Sequence, residues 1–219
     1  MESNLKKTRQ LLIFIVMIVA LFTACKTKSN NEDNTVNTDH AMDLKSAILK
    51  TKTVIEPLGT TMLTMYIDDY GKLSKQVVDM PMEIAGQHFD AQQITITKDG
   101  YVYSWENGST VGQKTKLKKG EFDLKNNFSF KSMSDEMKKQ YKVKELGTET
   151  IDGKVCNVYS MELNQFEGTY YIYKDLPLKF VMQTKEGNKV ESNLVSFEEN
   201  VAIPDSVFAI PNNIQFTER

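Results

Sequence analysis

Cysteine and histidine occur only twice each in this 219-residue chain, and proline only five times. His40 and His88 are too far apart to form a metal-ligand pair, so the spacing that marks a zinc site is missing. Basic surplus is missing too: 27 Lys and Arg stand against 29 Asp and Glu, a net charge of −2, which excludes the electrostatic footprint of a nucleic-acid binder. There is no Gly-x-Ser-x-Gly elbow, no phosphate-cradling glycine loop and no His-Glu-x-x-His pair. Asp68-Asp69-Tyr70-Gly71 starts like a calcium loop but lacks the further acids and the closing Glu, so it reads as a hairpin turn. Cys156 sits in KVCNVYSM (154–161) with no histidine near it in sequence, and reads as a small apolar strand residue. No catalytic residue, metal ligand or cofactor follows from these patterns, and the expectation is a non-enzyme.

The N-terminus carries a clear signal. Lys6, Lys7 and Arg9 face one acid, Glu2, and precede the apolar run LLIFIVMIVALF at 11–22, the pattern of a secretory signal peptide. Twelve residues of helix reach roughly 18 Å, short of a hydrocarbon core of about 30 Å. The run ends in Phe22-Thr23-Ala24-Cys25, which resembles the lipobox of bacterial lipoproteins. That resemblance implies cleavage before Cys25 and diacylglycerol on its sulfur, anchoring the chain to a membrane. The alternative is an ordinary cut after Ala24 that leaves a free thiol. One acyl chain binds a bilayer only marginally, so firm attachment takes two or three.

Residues 1–24 are thus read as signal peptide and 25–42 as lipidated cysteine and tether. KTKSNNEDNTVNTDHAM at 26–42 has almost no large apolar side chains and cannot bury enough surface to fold. The signal peptide takes three bases and one acid with it, which moves the net charge from −2 to −4. Residues 43–219 suit a single domain with its own core. With Cys25 acylated, Cys156 has no disulfide partner within the chain.

From residue 43 the chain alternates short runs of Val, Ile, Thr, Tyr and Phe with turn signals, predicting antiparallel hairpins. The turns are Asp69-Tyr70-Gly71, Lys98-Asp99-Gly100, Glu106-Asn107-Gly108, Ile151-Asp152-Gly153 and Glu186-Gly187-Asn188. Alternation assigns inner faces to Ile94 and Ile96, to Tyr101, Tyr103 and Trp105, to Leu178, Phe180 and Met182, and to Val195 and Phe197. MLTMYI at 62–67 is apolar on both faces and calls for cover on both sides. One helix is expected over 132–141, with Ser134 as N-cap and Met133, Met137 and Tyr141 at four-residue spacing, able to lie across a sheet as a lid.

MYIDDYGKLSKQ at 65–76, GTETIDGKVC at 147–156, YYIYKDLPLKFV at 170–181 and IPDSVFAIP at 203–211 stand in an order that resembles the outer-membrane lipoprotein-carrier (LolA/LolB-like) superfamily and its relatives of unknown function. The resemblance covers roughly residues 43–216. It implies a mainly β, α+β fold with one or two helices: a strongly curved antiparallel sheet or half-open β-barrel with a helical lid over an apolar cavity. In the best-known members that cavity holds acyl chains.

Eleven Met, eleven Phe, nine Tyr and one Trp supply the residues for such a cavity. Met62, Met65, Tyr66, Tyr101, Tyr103, Trp105, Met161, Tyr171 and Phe180 are the groove candidates, with Met133, Met137 and Tyr141 on the lid; thioethers and rings suit an adaptable apolar pocket or, equally, an ordinary core. Two readings stay open. One is an anchored lipoprotein that holds a lipid, acyl chain or hydrophobic peptide. The other is a protein-interaction or envelope-sensor module whose groove is filled by its own side chains. Both expect a monomer without nucleic acid, attached to the membrane through Cys25. Lys26 after the cysteine, unlike the Asp that resembles an inner-membrane retention signal, points to the periplasmic face of the outer membrane.

Overall fold

The computed structural model describes residues 42–57, 59–84, 87–117, 135–163, 166–185 and 187–218. The signal peptide, Cys25 and the tether as far as residue 41 lie outside the described residues, as do Met133, Ser134 and the side chain of Met137.

Turn chemistry and alternation build twelve strands: β1 (Ala47–Ile55), β2 (Gly59–Asp68), β3 (Leu73–Ile84), β4 (Gln87–Lys98), β5 (Tyr101–Glu106), β6 (Val111–Lys116), β7 (Lys144–Ile151), β8 (Lys154–Leu163), β9 (Phe166–Tyr173), β10 (Leu176–Thr184), β11 (Lys189–Glu199) and β12 (Gln215–Glu218). They form one open sheet in the order β12-β6-β5-β4-β3-β2-β1-β11-β10-β9-β8-β7. The chain therefore makes two meanders, β1 to β6 and β7 to β11, joined side by side where β1 pairs antiparallel with β11. All five turns read from the sequence lie between consecutive strands, and Asp99, Gly100, Gly108, Asp152, Gly153 and Gly187 take the positive φ those hairpins need.

The mainly β expectation holds, with very little helix. Over the predicted 132–141 the described helix is α1, Asp135–Gln140, six residues with Asp135 and Glu136 in the first turn and Lys138 and Lys139 in the last. Charges so placed complement the helix dipole.

Two β-bulges interrupt the register, and the first alters a predicted face. Between β1 and β11 the register passes from Lys50↔Ser196 to Thr51↔Leu194, so Val195 is the extra residue and stands 53% exposed. Val195 is thus not an inner-face partner of Phe197. Between β9 and β10 the register skips Leu178, which is nonetheless fully buried.

The main core collects Leu44, Ala47, Leu49, Met65, Ile67, Cys156, Leu176 and Leu178, with Met42 from the start of the described chain tucked among them. Ser46 fixes this entry: its hydroxyl donates to the Val201 carbonyl at 2.7 Å, and its own carbonyl accepts from the Asn200 N–H. Beyond Asn200 the chain passes from the middle of the sheet to its far edge. At strand spacings of about 4.8 Å that passage is roughly 34 Å, within reach of about fifteen extended residues. On the way, Ile203 and Phe208 are buried, and the 3-10 turn Asp205–Phe208 lies by β3. The segment ends as β12, parallel to β6.

Candidate apolar binding surface

Pairing register places the predicted aromatic set on one face of the first meander. Ile94 lies opposite Trp105, and Ile96 opposite Tyr103. Ile96 is fully buried and Trp105 nearly so, while Tyr101 and Tyr103 are half-buried. Phe216 of β12 closes this group, its ring edge-on to Tyr103 at 5.3 Å and to Trp105 at 5.9 Å. Edge-to-face contact matches the positive ring edge to the negative face. Gly112 on β6 makes room for it: a Cβ there would stand 2.7 Å from the Phe216 ring. At the outer end the Lys114 ammonium sits 3.9 Å above the Tyr101 ring, a cation–π contact.

Of the other candidates, Met62 and Tyr66 share this face, since the register runs Tyr66↔Lys75↔Ile96↔Tyr103 and Met62↔Asp79↔Gln92, and the rest go elsewhere. Met65 is in the main core and Tyr171 packs against it, whereas Met62 and Tyr66, on the opposite face of β2, are half-buried. β2 is therefore enclosed more completely on its Met65–Ile67 side. Met161 packs with Tyr159, Ile172 and Tyr170, and Phe180 with Tyr170, Met182, Ile55 and Val190. Tyr170 thus links these two groups; its hydroxyl donates to the Met182 thioether at 3.0 Å, and burial pushes its phenol up from the usual value. Five of the nine candidates thus share one face of the first meander, Met65 and Tyr171 join the main core, and Met161 and Phe180 pack about Tyr170, so the nine do not line one groove. Tyr141 is half-buried just after α1, and its carbonyl accepts from the Glu162 N–H.

A cleft of about 350 Å³ lies beside the Tyr170 group. Met161, Gly168, Val181 and Met182 line it, together with Lys142, Lys144, Glu162 and Glu167. Gly168 is required there, since a Cβ would meet Met182 at 2.8 Å. Lys142 pairs with Glu162, and this hydrogen bond holds the Glu162 carboxyl below its usual value. A second hollow of about 410 Å³ beside α1 is lined by Asp135, Lys138, Lys139, Lys142, Val143 and Lys144. The first has a mixed polar and apolar lining; the second is lined mainly by apolar surface although four of its six residues are lysines.

The strongest electrostatic node is structural. Glu199 accepts from Lys154 at 2.7 Å, Lys174 at 2.8 Å and the Tyr173 hydroxyl at 3.2 Å, tying the β7–β8 and β9–β10 turns to the end of β11. Lys154 and then Lys174 hold the Glu199 carboxyl down at about 2. The Cys156 thiol is wholly buried in the main core, and that burial pushes its pKa up.

Phe216, Gly112, Lys114 and Tyr170 complete the surface and were not among the sequence candidates. Phe216 and Gly112 gave no signal, because a parallel pairing between distant segments leaves no local pattern. Tyr170 alternates with the buried Ile172 along β9 and was legible in principle.

No known family model matches the chain, and no curated protein sequence matches it. Solved structures do resemble it. An uncharacterized conserved protein from Thermus thermophilus superposes with a TM-score of 0.54 at 11% identity, over 81% of this chain and 92% of that one. The MucA/MucB complex of Pseudomonas aeruginosa gives 0.47 at 9% identity, over 78% of this chain and 57% of that one. A Vibrio parahaemolyticus domain described as an outer membrane lipoprotein-sorting protein gives 0.34 at 12% identity, over 74% and 88%. The Thermus likeness establishes a shared fold; the other two superpose too loosely to bear on function.

Proposed function

We propose that this chain is a non-enzymatic lipoprotein of the cell envelope, anchored through Cys25 to the periplasmic face of the outer membrane. There its open, curved sheet, acting as a monomer, holds an extended apolar segment of a partner polypeptide. The observation that carries this reading is the split of the apolar side chains between the two faces of the sheet, with no single cluster gathering them. A chain-sized lipid needs one continuous apolar cavity, whereas an extended peptide needs a strand edge and a few side-chain sites. The two clefts are rimmed with lysine and glutamate or aspartate.

A second reading, a bound lipid or acyl chain, is favoured by one feature. Met161, Val181 and Met182 line a cleft whose rim carries Lys142 and Lys144, an arrangement that suits an apolar chain with an anionic head.

One preparation tests both. The intact protein is isolated gently from a bacterial envelope carrying photo-crosslinking residues in the sheet, and native mass is recorded before and after organic extraction. The proposal expects one dominant crosslinked polypeptide and a mass free of extractable ligand. A reproducible extra mass that solvent removes, without a crosslinked partner, would replace it with the lipid reading.

A further inference from the structure

The far edge of the sheet holds a built site that the chain fills with its own residues. Three elements make it. The first is the outer edge of β6, whose residues Val111 to Lys114 pair in parallel with Gln215 to Glu218. The second is an aromatic slot floored by Gly112 and walled by Tyr103 and Trp105, into which Phe216 inserts. The third is charge by position alone: the register sets Glu218 opposite Lys114, which lies over the Tyr101 ring, and no ion pair among the described residues joins the two.

This is the geometry by which a sheet edge captures a peptide: main-chain hydrogen bonds supply affinity and a pocket for alternate side chains supplies selectivity. Here the captured segment is short, four residues, and every one but Phe216 is exposed. Its hold rests on one ring and one short ladder, far less than the paired length of the interior strands.

We propose that the β6 edge is the docking site for the partner segment, and that residues 215–218 act as an internal ligand that the partner displaces. This rests on the polypeptide-binding reading above and gives it a place and a chemistry. The segment that fits is extended and parallel to β6, with an aromatic residue at the Gly112 register and an acidic residue two positions later, as in Phe216-Thr217-Glu218. The aromatic fills the slot edge-on, and the acid stands opposite Lys114.

Trp105 is the only tryptophan of the chain, so its fluorescence reports the slot directly. The full chain carrying Phe216→Ala, with Phe216→Leu as a milder second variant that keeps an apolar side chain in place, is titrated with a peptide of residues 213–218. The expected result is a red-shifted Trp105 in both variants that the peptide reverses saturably. A peptide with Phe216→Ala should bind at least about tenfold more weakly, one with Glu218→Lys only a few-fold more weakly, and the wild-type chain should compete against the native peptide. Variants that keep the β signature but show no peptide-dependent change overturn the site. If envelope crosslinking still recovers a partner in that case, the partner docks elsewhere and the polypeptide-binding reading stands. If neither succeeds, both fall. A wild-type dimer that Phe216→Ala abolishes would identify the occupant as a second copy of this chain and overturn the separate partner.

Discussion

Glu199 and Cys156 illustrate how single side chains set measurable behaviour. The Glu199 carboxylate gathers two ammonium groups and a phenol at the junction of β11 with the β8 and β9 strand ends. Its pKa lies at about 2 in the folded chain, against about 4.3 for a free Glu. The folded state therefore binds its proton less readily than the unfolded state does. The resulting stabilisation is fully present above pH of about 4.3 and is lost as the pH falls through about 2. Glu199→Gln should lower the urea midpoint by a constant amount from about pH 5 to 8, and the difference from wild type should close as the pH approaches about 2. A gap that persists unchanged at the acid end would show that the ion pairs contribute nothing. Cys156 tests burial in the same spirit. With no exposed surface and a raised pKa, its thiol should react with a maleimide only as fast as the main core opens. Rapid modification of the native protein near neutral pH would contradict that placement.

Among the elements, β6 and β12 show a contact whose cost can be isolated. Placing a methyl at Gly112 drives it to 2.7 Å from the Phe216 ring and 3.0 Å from the Ser104 carbonyl oxygen. Gly112→Ala should destabilise by about 1–3 kcal/mol, as overpacking does. In a Phe216→Ala background the ring conflict is gone and only the backbone contact remains, so the penalty should shrink markedly. A double-mutant cycle by urea denaturation measures the difference, and strict additivity would disprove the ring contact. The same elements mark how far the sequence could be read. Asp99-Gly100 and Asp152-Gly153 announced their hairpins because positive φ selects those residue types. Lys174 and Asp175 make an equally tight turn at φ of 45° and 68° with no glycine, and passed unseen. The bulge at Val195 also left no mark, since alternation continues through the extra residue and only the partner strand reveals the slip. Of the candidate surface, Tyr103 and Trp105 were legible from alternation, but the ring that covers them comes from more than a hundred residues away in sequence.

Taken whole, the molecule is an open sheet with two ends of different character. At one end β12 caps β6; at the other β7 is exposed along nearly its whole length, with Leu146 57% exposed. An exposed strand edge invites unplanned pairing between chains, and natural sheets blunt it with charge and bulges. β7 carries Lys144, Glu145 and Glu149 and a register shift between Glu145 and Gly147, which serves that purpose. The anchor itself is the remaining proposal at this scale. Each buried methylene contributes about 0.8 kcal/mol, so two or three acyl chains on Cys25 would fix the protein to its membrane, while the apolar run before it is too short to span. Cells fed a radiolabelled fatty acid should incorporate label into the wild-type protein and partition it into the detergent phase. Cys25→Ala should carry no label, with the folded domain unaffected because its core begins at Met42. A wild-type chain that is secreted, cut after Ala24 and unlabelled would make Cys25 an ordinary thiol. The partner-binding reading would then have to hold for a freely diffusing domain.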